Sequence, residues 1–88
     1  MMEEFDCIVF KHGMAPFIHT VHSTNQPFNI EFPERETYES FTIDRIEEVE
    51  QASGKLALYL VANKTQVERS EISRQIKLLM PRPVRYFK

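Results

Sequence analysis

The stretch Lys55-Leu56-Ala57-Leu58-Tyr59-Leu60-Val61-Ala62 is the longest apolar run in the chain. In an extended conformation it places its leucines on one face and Ala57, Tyr59 and Val61 on the other. A strand that is apolar on both faces is covered on both sides. We therefore predict that this segment is the central strand of a sheet, and that the rest of the chain covers or flanks it.

The totals describe one small globular domain spanning residues 1–88. Of its residues, 42% are hydrophobic and 27% are charged, and only 2 are glycine, which argues against disorder or low complexity. Cys7 is the only cysteine, so no disulfide forms within the chain. The acidic N-terminus does not resemble a signal peptide, and no apolar segment approaches the roughly 20 residues needed to span a bilayer. These features predict a cytoplasmic protein with no membrane partner.

The N-terminal quarter predicts a β-hairpin. Phe5–Lys11 is rich in β-branched and aromatic residues, His12–Pro16 has the length of a hairpin loop, and Phe17–His22 reads as the return strand. We expect Lys11 opposite Phe17. Both faces of this hairpin are largely apolar, which indicates that another layer or a partner covers them.

Two later segments have clear periodicity. Phe28–Phe32 alternates apolar and polar residues, which predicts a half-buried strand ended by Pro33. After the central strand, four apolar residues follow helical spacing: Ile72, Ile76, Leu79 and Met80. Thr65–Glu68 has capping-box spacing, so this helix begins there or at Ser70.

The segment Thr42–Gly54 is open to two interpretations. Apolar residues recur every third position, Thr42 suits an N-cap and Gly54 suits the C′ position, so we predict a helix over Ile43–Ser53. The alternative is a long strand from Tyr38 to Glu50 that turns into the central strand. The helix is preferred because alternation along the segment is poor.

The predicted fold class is α+β: a small two-layer sandwich in the order β-β-β-α-β-α, followed by an extended C-terminal tail. The strand at Phe28–Phe32, the helix and the central strand then form a right-handed crossover. A mostly β meander with one C-terminal helix is the alternative. The tail Val84–Lys88 either adds an edge strand or reaches out to a partner.

Charge is unevenly distributed along the chain. Residues 31–50 contain eight acids and two bases, whereas residues 69–88 contain six bases and one acid. Such blocks are usually solvated faces, but they are also typical of interaction surfaces. We take as candidate partner-binding residues the acids Asp44, Glu47, Glu48 and Glu50 and the tail residues Arg82, Arg85 and Tyr86.

Metal binding and catalysis have weaker support. On a strand His19 and His22 point to opposite faces, so they do not converge with Cys7 on a zinc ion. Cys7 lies among apolar neighbours, where a buried inert thiol is usual. Asp6 opposite His22 suggests an acid–base pair, although such pairs are mostly surface contacts. We expect no metal and no cofactor.

The leading functional hypothesis is a non-enzymatic interaction module, a small bacterial or phage regulator or inhibitor that binds another protein through residues 31–50. Homo-oligomerisation is a corollary of the two apolar hairpin faces. The alternative is nucleic-acid binding through the basic aromatic helix and tail. An enzyme using Cys7, His19 or His22 ranks last.

Overall fold

A computed structural model describes residues 3–87 of the chain, except for the side chain of Arg35. Within this range the backbone forms seven strands, one α-helix and a 3₁₀ turn at Pro33–Arg35. The elements are β1 (Phe5–Phe10), β2 (Phe17–Val21), β3 (Phe28–Phe32), β4 (Thr37–Phe41), β5 (Asp44–Val49), β6 (Leu56–Asn63), α1 (Arg69–Leu79) and β7 (Arg85–Tyr86).

The larger sheet is organised around β6, as predicted. Its strand order is β2-β1-β6-β5, and β7 also pairs with β6. One edge of β6 pairs with β5 in antiparallel fashion. The other edge pairs first with β7, at Ala57 and Leu58, and then in parallel with β1, from Leu60 to Asn63. The backbone of β6 is therefore hydrogen-bonded along both edges.

Each face of this sheet packs against a different element. Helix α1 covers one face, here called the helix face, where the buried residues are Ile8, Phe10, Ala57, Tyr59, Val61, Ile72 and Ile76. The β3–β4 hairpin covers the other, here called the hairpin face, where the buried residues are Cys7, Val9, Val21, Ile30, Phe41, Leu60 and Ala62. Burying a large apolar side chain contributes about 1.5–3 kcal/mol, so both covering layers are needed.

The hairpin of β1 and β2 is confirmed, but its register differs from the prediction. Val9, rather than Lys11, lies opposite Phe17. Because side chains alternate with a period of two, a shift of two residues leaves every side chain on its predicted face. The predicted pairing of Asp6 with His22 is wrong because of this two-residue shift in register.

The predicted helix over Ile43–Ser53 is wrong, because this segment contains β5 and a turn. Six residues of β5 pair with Leu56–Val61, which gives the apolar central strand its second edge. The β-branched residues Ile46 and Val49 suit a strand better than a helix. Gly54 does adopt the left-handed conformation expected of it, with φ +71°, but in the turn that joins β5 to β6.

The C-terminal helix is confirmed, although its boundaries differ in detail. Ile72 and Ile76 are buried as predicted, whereas Met80 follows the last turn with φ +50° and is 77% exposed. The capping box at Thr65–Glu68 does not form, since the N-cap Glu68 makes no side-chain hydrogen bond. Instead, Asn63 orders the preceding loop by accepting a hydrogen bond from the Val67 amide at 2.9 Å.

The fold is α+β with mostly strands and a C-terminal helix. The predicted order β-β-β-α-β-α and the two-layer sandwich are wrong, because one predicted helix is a strand and the sheet is covered on both faces. The mostly β alternative with one C-terminal helix lies closer to the structure. No crossover helix links Phe28–Phe32 to β6, since β3 pairs with β4 in a separate two-stranded sheet.

Two lysines hold the β3–β4 hairpin against the larger sheet through ion pairs. The Nζ of buried Lys11 lies 3.5 Å from the Glu39 carboxylate, and the Nζ of Lys64 lies 3.2 Å from it. The same ammonium groups lie 4.7 Å from the Phe32 ring centroid and 4.8 Å from that of Phe41, respectively. Burial opposes ionisation of Glu39, but the two lysines outweigh it and hold its pKa below the usual value.

Replacing Glu39 by Gln is expected to lower the free energy of unfolding by about 1–2 kcal/mol, because buried Lys11 then lacks its carboxylate. Urea unfolding measures the change, and Glu31→Gln, on the exposed side of β3, is the matched control. The folded-state pKa of Glu39 is depressed, so its contribution is present above the unfolded value of 4.5 and fades as the pH falls below it. An effect that is equal at pH 7 and pH 3 would contradict this assignment.

Candidate partner-binding surface

The hairpin face of the sheet is only partly covered, and this leaves a strip of side chains open. The strip has two rows that run across β5, β6 and the tail. In one row Leu58 lies between Glu47 and Arg85. In the next row Leu56 lies between Val49 and Phe87, whose amide donates to the Leu56 carbonyl at 2.8 Å. We call these six residues the open strip.

Exposure changes sharply along the hairpin face of β6. Leu60 is 1% exposed beneath the β3–β4 hairpin, whereas Leu56 is 39% exposed, and its neighbour Val49 is 55% exposed. Leu58 and Phe87 are half-buried. The hairpin therefore stops short of the end of the sheet and leaves a continuous apolar patch, bordered by one acid and one base.

The predicted acidic residues do not form one surface. The predicted helix over Ile43–Ser53 included Glu47, Glu48 and Glu50, but in the observed strand, alternation sends Glu47 to the hairpin face and the other two to the helix face. Glu48 is engaged there, accepting hydrogen bonds from Arg69 at 3.1 Å and Ser73 at 2.8 Å. Only Glu47 belongs to the open strip. Asp44, at the other end of β5, is exposed on the helix face.

The tail docks on the sheet as a short edge strand, one of the two outcomes predicted for it. Arg82 holds the start of the tail in place, because its guanidinium and its backbone amide donate three hydrogen bonds to the Asp6 carboxylate at 2.8–3.3 Å. These hydrogen bonds lower the pKa of Asp6 despite its partial burial. Arg85 lies over the ring of Phe87, 4.7 Å from its centroid. Lys88, part of the predicted basic tail, lies outside the described residues.

The structure brings together two residues assigned to opposite surfaces from the sequence. The hydroxyl of Tyr86 donates to both carboxylate oxygens of Glu50, at 2.9 and 3.1 Å. The contact crosses β6 above Ala57, which pairs directly with Tyr86 and has a side chain small enough to leave room. Donation to the carboxylate raises the pKa of Tyr86. This contact covers Ala57, which is 0% exposed.

The free edge of β5 is poorly suited to pair with another strand. The amide of Glu50 donates to the carbonyl of Lys55, and in an antiparallel pair every second residue bonds to the neighbouring strand in this way. The N–H and C=O groups of Glu47 therefore point away from β6, toward the free edge. Arg69 donates to the outward carbonyl of Glu47 at 2.6 Å. If β5 of a second copy paired along this edge with Arg45 opposite Glu47, then Asp44 would lie opposite Glu48, and the two carboxylates would repel each other. Charged, partly occupied edges of this kind resist strand addition.

The surface also has two concave sites, at the C-terminal end of α1 and between β2 and β3. A cleft of about 220 Å³ lies at the C-terminal end of α1, between Tyr59, Glu50 and Lys77. Small-molecule sites are usually about 300–1,000 Å³. A wider groove of about 540 Å³ between β2 and β3 contains His19 and His22. Within residues 3–87, no three His, Cys, Asp or Glu side chains are grouped to hold a metal ion.

The structure places Cys7 directly opposite His19 in the β1–β2 ladder. This neighbour is the one that thiol catalysis needs, but both groups are shifted away from ionisation. Burial raises the pKa of Cys7 to about 12 and lowers the pKa of His19. His19 also stacks on Phe28, with ring centroids 5.5 Å apart. The arrangement favours a neutral, packed pair over a thiolate–imidazolium nucleophile.

Comparison with known protein families, with curated proteins and with solved structures finds no match for this chain. Among the described residues, no helix has both the length and the apolar character needed to cross a membrane. The open strip is therefore the feature of the molecule from which a function can be inferred.

Four residues of the open strip were not predicted from the sequence as partner-binding residues: Val49, Leu56, Leu58 and Phe87. Each was assigned to the core or to the tail. The sequence shows that a strand must be covered by another layer, but it does not show how much of the strand that layer covers. In the structure, the hairpin that covers this face has two strands of five residues, whereas β6 has eight. No signal of this shortfall was present in the sequence, because β4 was not predicted.

The Asp6–Arg82 contact is expected to hold the tail on the sheet. Replacing Asp6 by Ala removes three hydrogen bonds, so the amides of Val84 and Phe87, which bond to β6, should exchange with solvent at least several-fold faster. Hydrogen exchange followed by NMR measures this, with Glu34→Ala, at an exposed acid away from the tail, as the control. Unchanged exchange at both amides would show that β7 docks without Asp6.

Cys7 is expected to be almost inert to iodoacetamide in the native protein at pH 8, because its thiol is buried and its pKa lies near 12. Alkylation in denaturant supplies the matched rate for the accessible thiol. The native rate should be lower by at least two orders of magnitude. Native alkylation at a rate close to the denatured one would indicate an accessible thiolate beside His19.

Proposed function

We propose that this protein is a non-enzymatic interaction module that binds another protein through the open strip. The supporting observation is the contiguous row of apolar side chains, exposed Val49 and Leu56 with half-buried Leu58 and Phe87, on the hairpin face of the sheet. Contiguous apolar surface with a charged border is typical of protein interfaces. Small regulators and inhibitors act in this way, by covering a surface of their target.

The acidic segment contributes to this surface less than its composition suggests. Of the four acids chosen from the sequence, Glu47 borders the strip, whereas Glu48 and Glu50 are held by Arg69 and Tyr86. We therefore propose an apolar contact as the source of affinity. The charges at the border select and orient the partner.

The ion pairs of the basic segment favour a protein partner over a nucleic acid. Three of its arginines are within 3.1 Å of carboxylates: Arg69 with Glu48, Arg74 with Glu71, and Arg82 with Asp6. Cations paired in this way offer less net charge to phosphates. Binding of a labelled single-stranded oligonucleotide, measured by anisotropy, should be weak and should not depend steeply on salt.

Site-specific photo-crosslinking tests the proposal. A photoreactive amino acid at Leu56 is expected to form adducts with another protein in the native host, whereas the same residue at Glu31, on the exposed side of β3, forms none. Val49→Lys should then weaken binding to the purified partner at least tenfold, because it places a charge in the apolar row. Glu31→Lys is the control.

The contrary results are also defined. Adducts that are equally abundant at Leu56 and Glu31, or absent at Leu56, contradict binding through the strip. Adducts that contain only a second copy of this chain would contradict a different protein as partner while leaving the strip as the contact.

A further inference from the structure

We propose that the cleft at the C-terminal end of α1 binds a small neutral molecule, a single aromatic ring that carries an amide group. The cleft lies on the helix face and shares only Val49 with the open strip, so this inference goes beyond the proposed function. It is carried by Tyr59, a buried residue whose hydroxyl opens on the cleft without a hydrogen-bond partner.

The hydroxyl of Tyr59 is a donor in search of an acceptor. Among the described residues, the Tyr86 hydroxyl bonds to Glu50, whereas the Tyr59 hydroxyl makes no hydrogen bond. Tyr59 is 2% exposed, and the one polar side-chain atom that is sealed in the described protein without a partner is Oε2 of Glu48. The small exposed part of Tyr59 therefore includes its hydroxyl, which faces the cleft that Tyr59 lines. Buried polar groups are normally hydrogen-bonded, so this position suits an acceptor atom of a ligand.

The size and walls of the cleft suit one ring. Its volume of about 220 Å³ is too small for most larger ligands, but benzene fills an engineered apolar cavity of about 150 Å³. Apolar side chains form its walls: Ala52, Ile76, Met80 and Pro81. Met80 is 77% exposed, and its flexible thioether side chain can adapt to a flat ring at the mouth of the cleft.

The charges around the cleft favour a neutral ligand over an anion. Glu50 lines the cleft, and the carbonyl groups at the end of α1 carry partial negative charge. Exposed Lys77 is the one cation among the lining residues, and solvent screens it. Burial and the nearby charge of Glu50 raise the pKa of Tyr59, so its hydroxyl stays protonated at neutral pH and acts as a donor.

An amide group matches the two polar residues of the cleft. Its carbonyl oxygen accepts from the Tyr59 hydroxyl, and its N–H groups donate to the Glu50 carboxylate. That carboxylate accepts hydrogen bonds from Tyr86, and a carboxylate has about four acceptor sites, so it can accept further donors. A carboxylic acid of the same shape lacks the N–H groups and brings a second negative charge to Glu50.

Benzamide is the probe for this site, and a ligand of its size is expected to bind with a Kd of about 0.1–10 mM. Methyl NMR of isoleucine-labelled protein measures the binding. The Ile76 methyl signal should shift and saturate, because Ile76 lines the cleft. The Ile18 signal, from β2, should stay in place. Benzoate, which has the same ring and a negative charge, should bind about tenfold more weakly or less.

The variant Tyr59→Phe tests the hydroxyl. It removes the donor with little change of shape, so benzamide should bind about tenfold more weakly. Toluene, which has no acceptor, should bind the variant and the wild type equally, and this separates a lost hydrogen bond from a collapsed cleft. Tyr38→Phe, at a residue of β4 that is 72% exposed, is the matched control and should change neither affinity.

Three results would overturn the inference. Absence of a saturable Ile76 shift with benzamide up to about 30 mM would exclude the site. Benzoate that binds as tightly as benzamide would contradict the role of Glu50 and the helix end. Equal losses of benzamide and toluene affinity in Tyr59→Phe would contradict the role of the hydroxyl. The comparison of benzamide with benzoate needs no variant, so it decides the case even where Tyr59→Phe does not fold, and it is independent of crosslinking at Leu56.

Discussion

The structure depends on one constraint, which is that β6 is apolar on both faces and hydrogen-bonded along both edges. Ala57, Tyr59, Val61 and Leu60 are each at most 2% exposed, so the strand folds only if two layers cover it. Helix α1 supplies one layer and the β3–β4 hairpin supplies the other. Strands β1, β5 and β7 satisfy its backbone. Most of the described chain therefore pairs with β6 or covers one of its faces.

The cover is unequal on the two faces, and the proposed function follows from this. On the helix face, Ile72 and Ile76 cover the sheet, and the Tyr86–Glu50 contact lies over Ala57. On the hairpin face, Phe41 and Ile30 protect only the part of β6 next to β1. Within residues 3–87, no further helix or strand extends the second layer. The end of the sheet therefore stays open, with apolar residues where a buried layer would otherwise be needed.

The sequence predicted those elements whose pattern is local. The apolar run of β6, the alternation of Phe28–Phe32 and the helical spacing of Ile72 and Ile76 each depend on near neighbours alone. The residues of β5 have an ambiguous local pattern, and only their pairing with β6 makes them a strand. Pairing across the chain outweighs weak local preference when it completes a buried strand.

The candidate surface was predicted only in part, for a related physical reason. Glu47 and Arg85 were singled out from charge alone, but for two different surfaces. They lie on either side of Leu58 because β5 and β7, 36 to 42 residues apart along the chain, both pair with β6. The position of Tyr86 could not be predicted either, because its hydrogen bond to Glu50 forms only when the tail docks on the sheet. Sequence reasoning identified charged partners without showing which strand would bring them together.

The most direct test of the account is the solvent exposure of methyl groups along the hairpin face of β6. A soluble paramagnetic probe should broaden the methyl signals of Leu56 strongly and those of Leu60 very little. Leu58 should be intermediate. Equal protection of Leu56 and Leu60 would mean that part of this chain covers the strip, which would contradict the open surface from which the function is proposed.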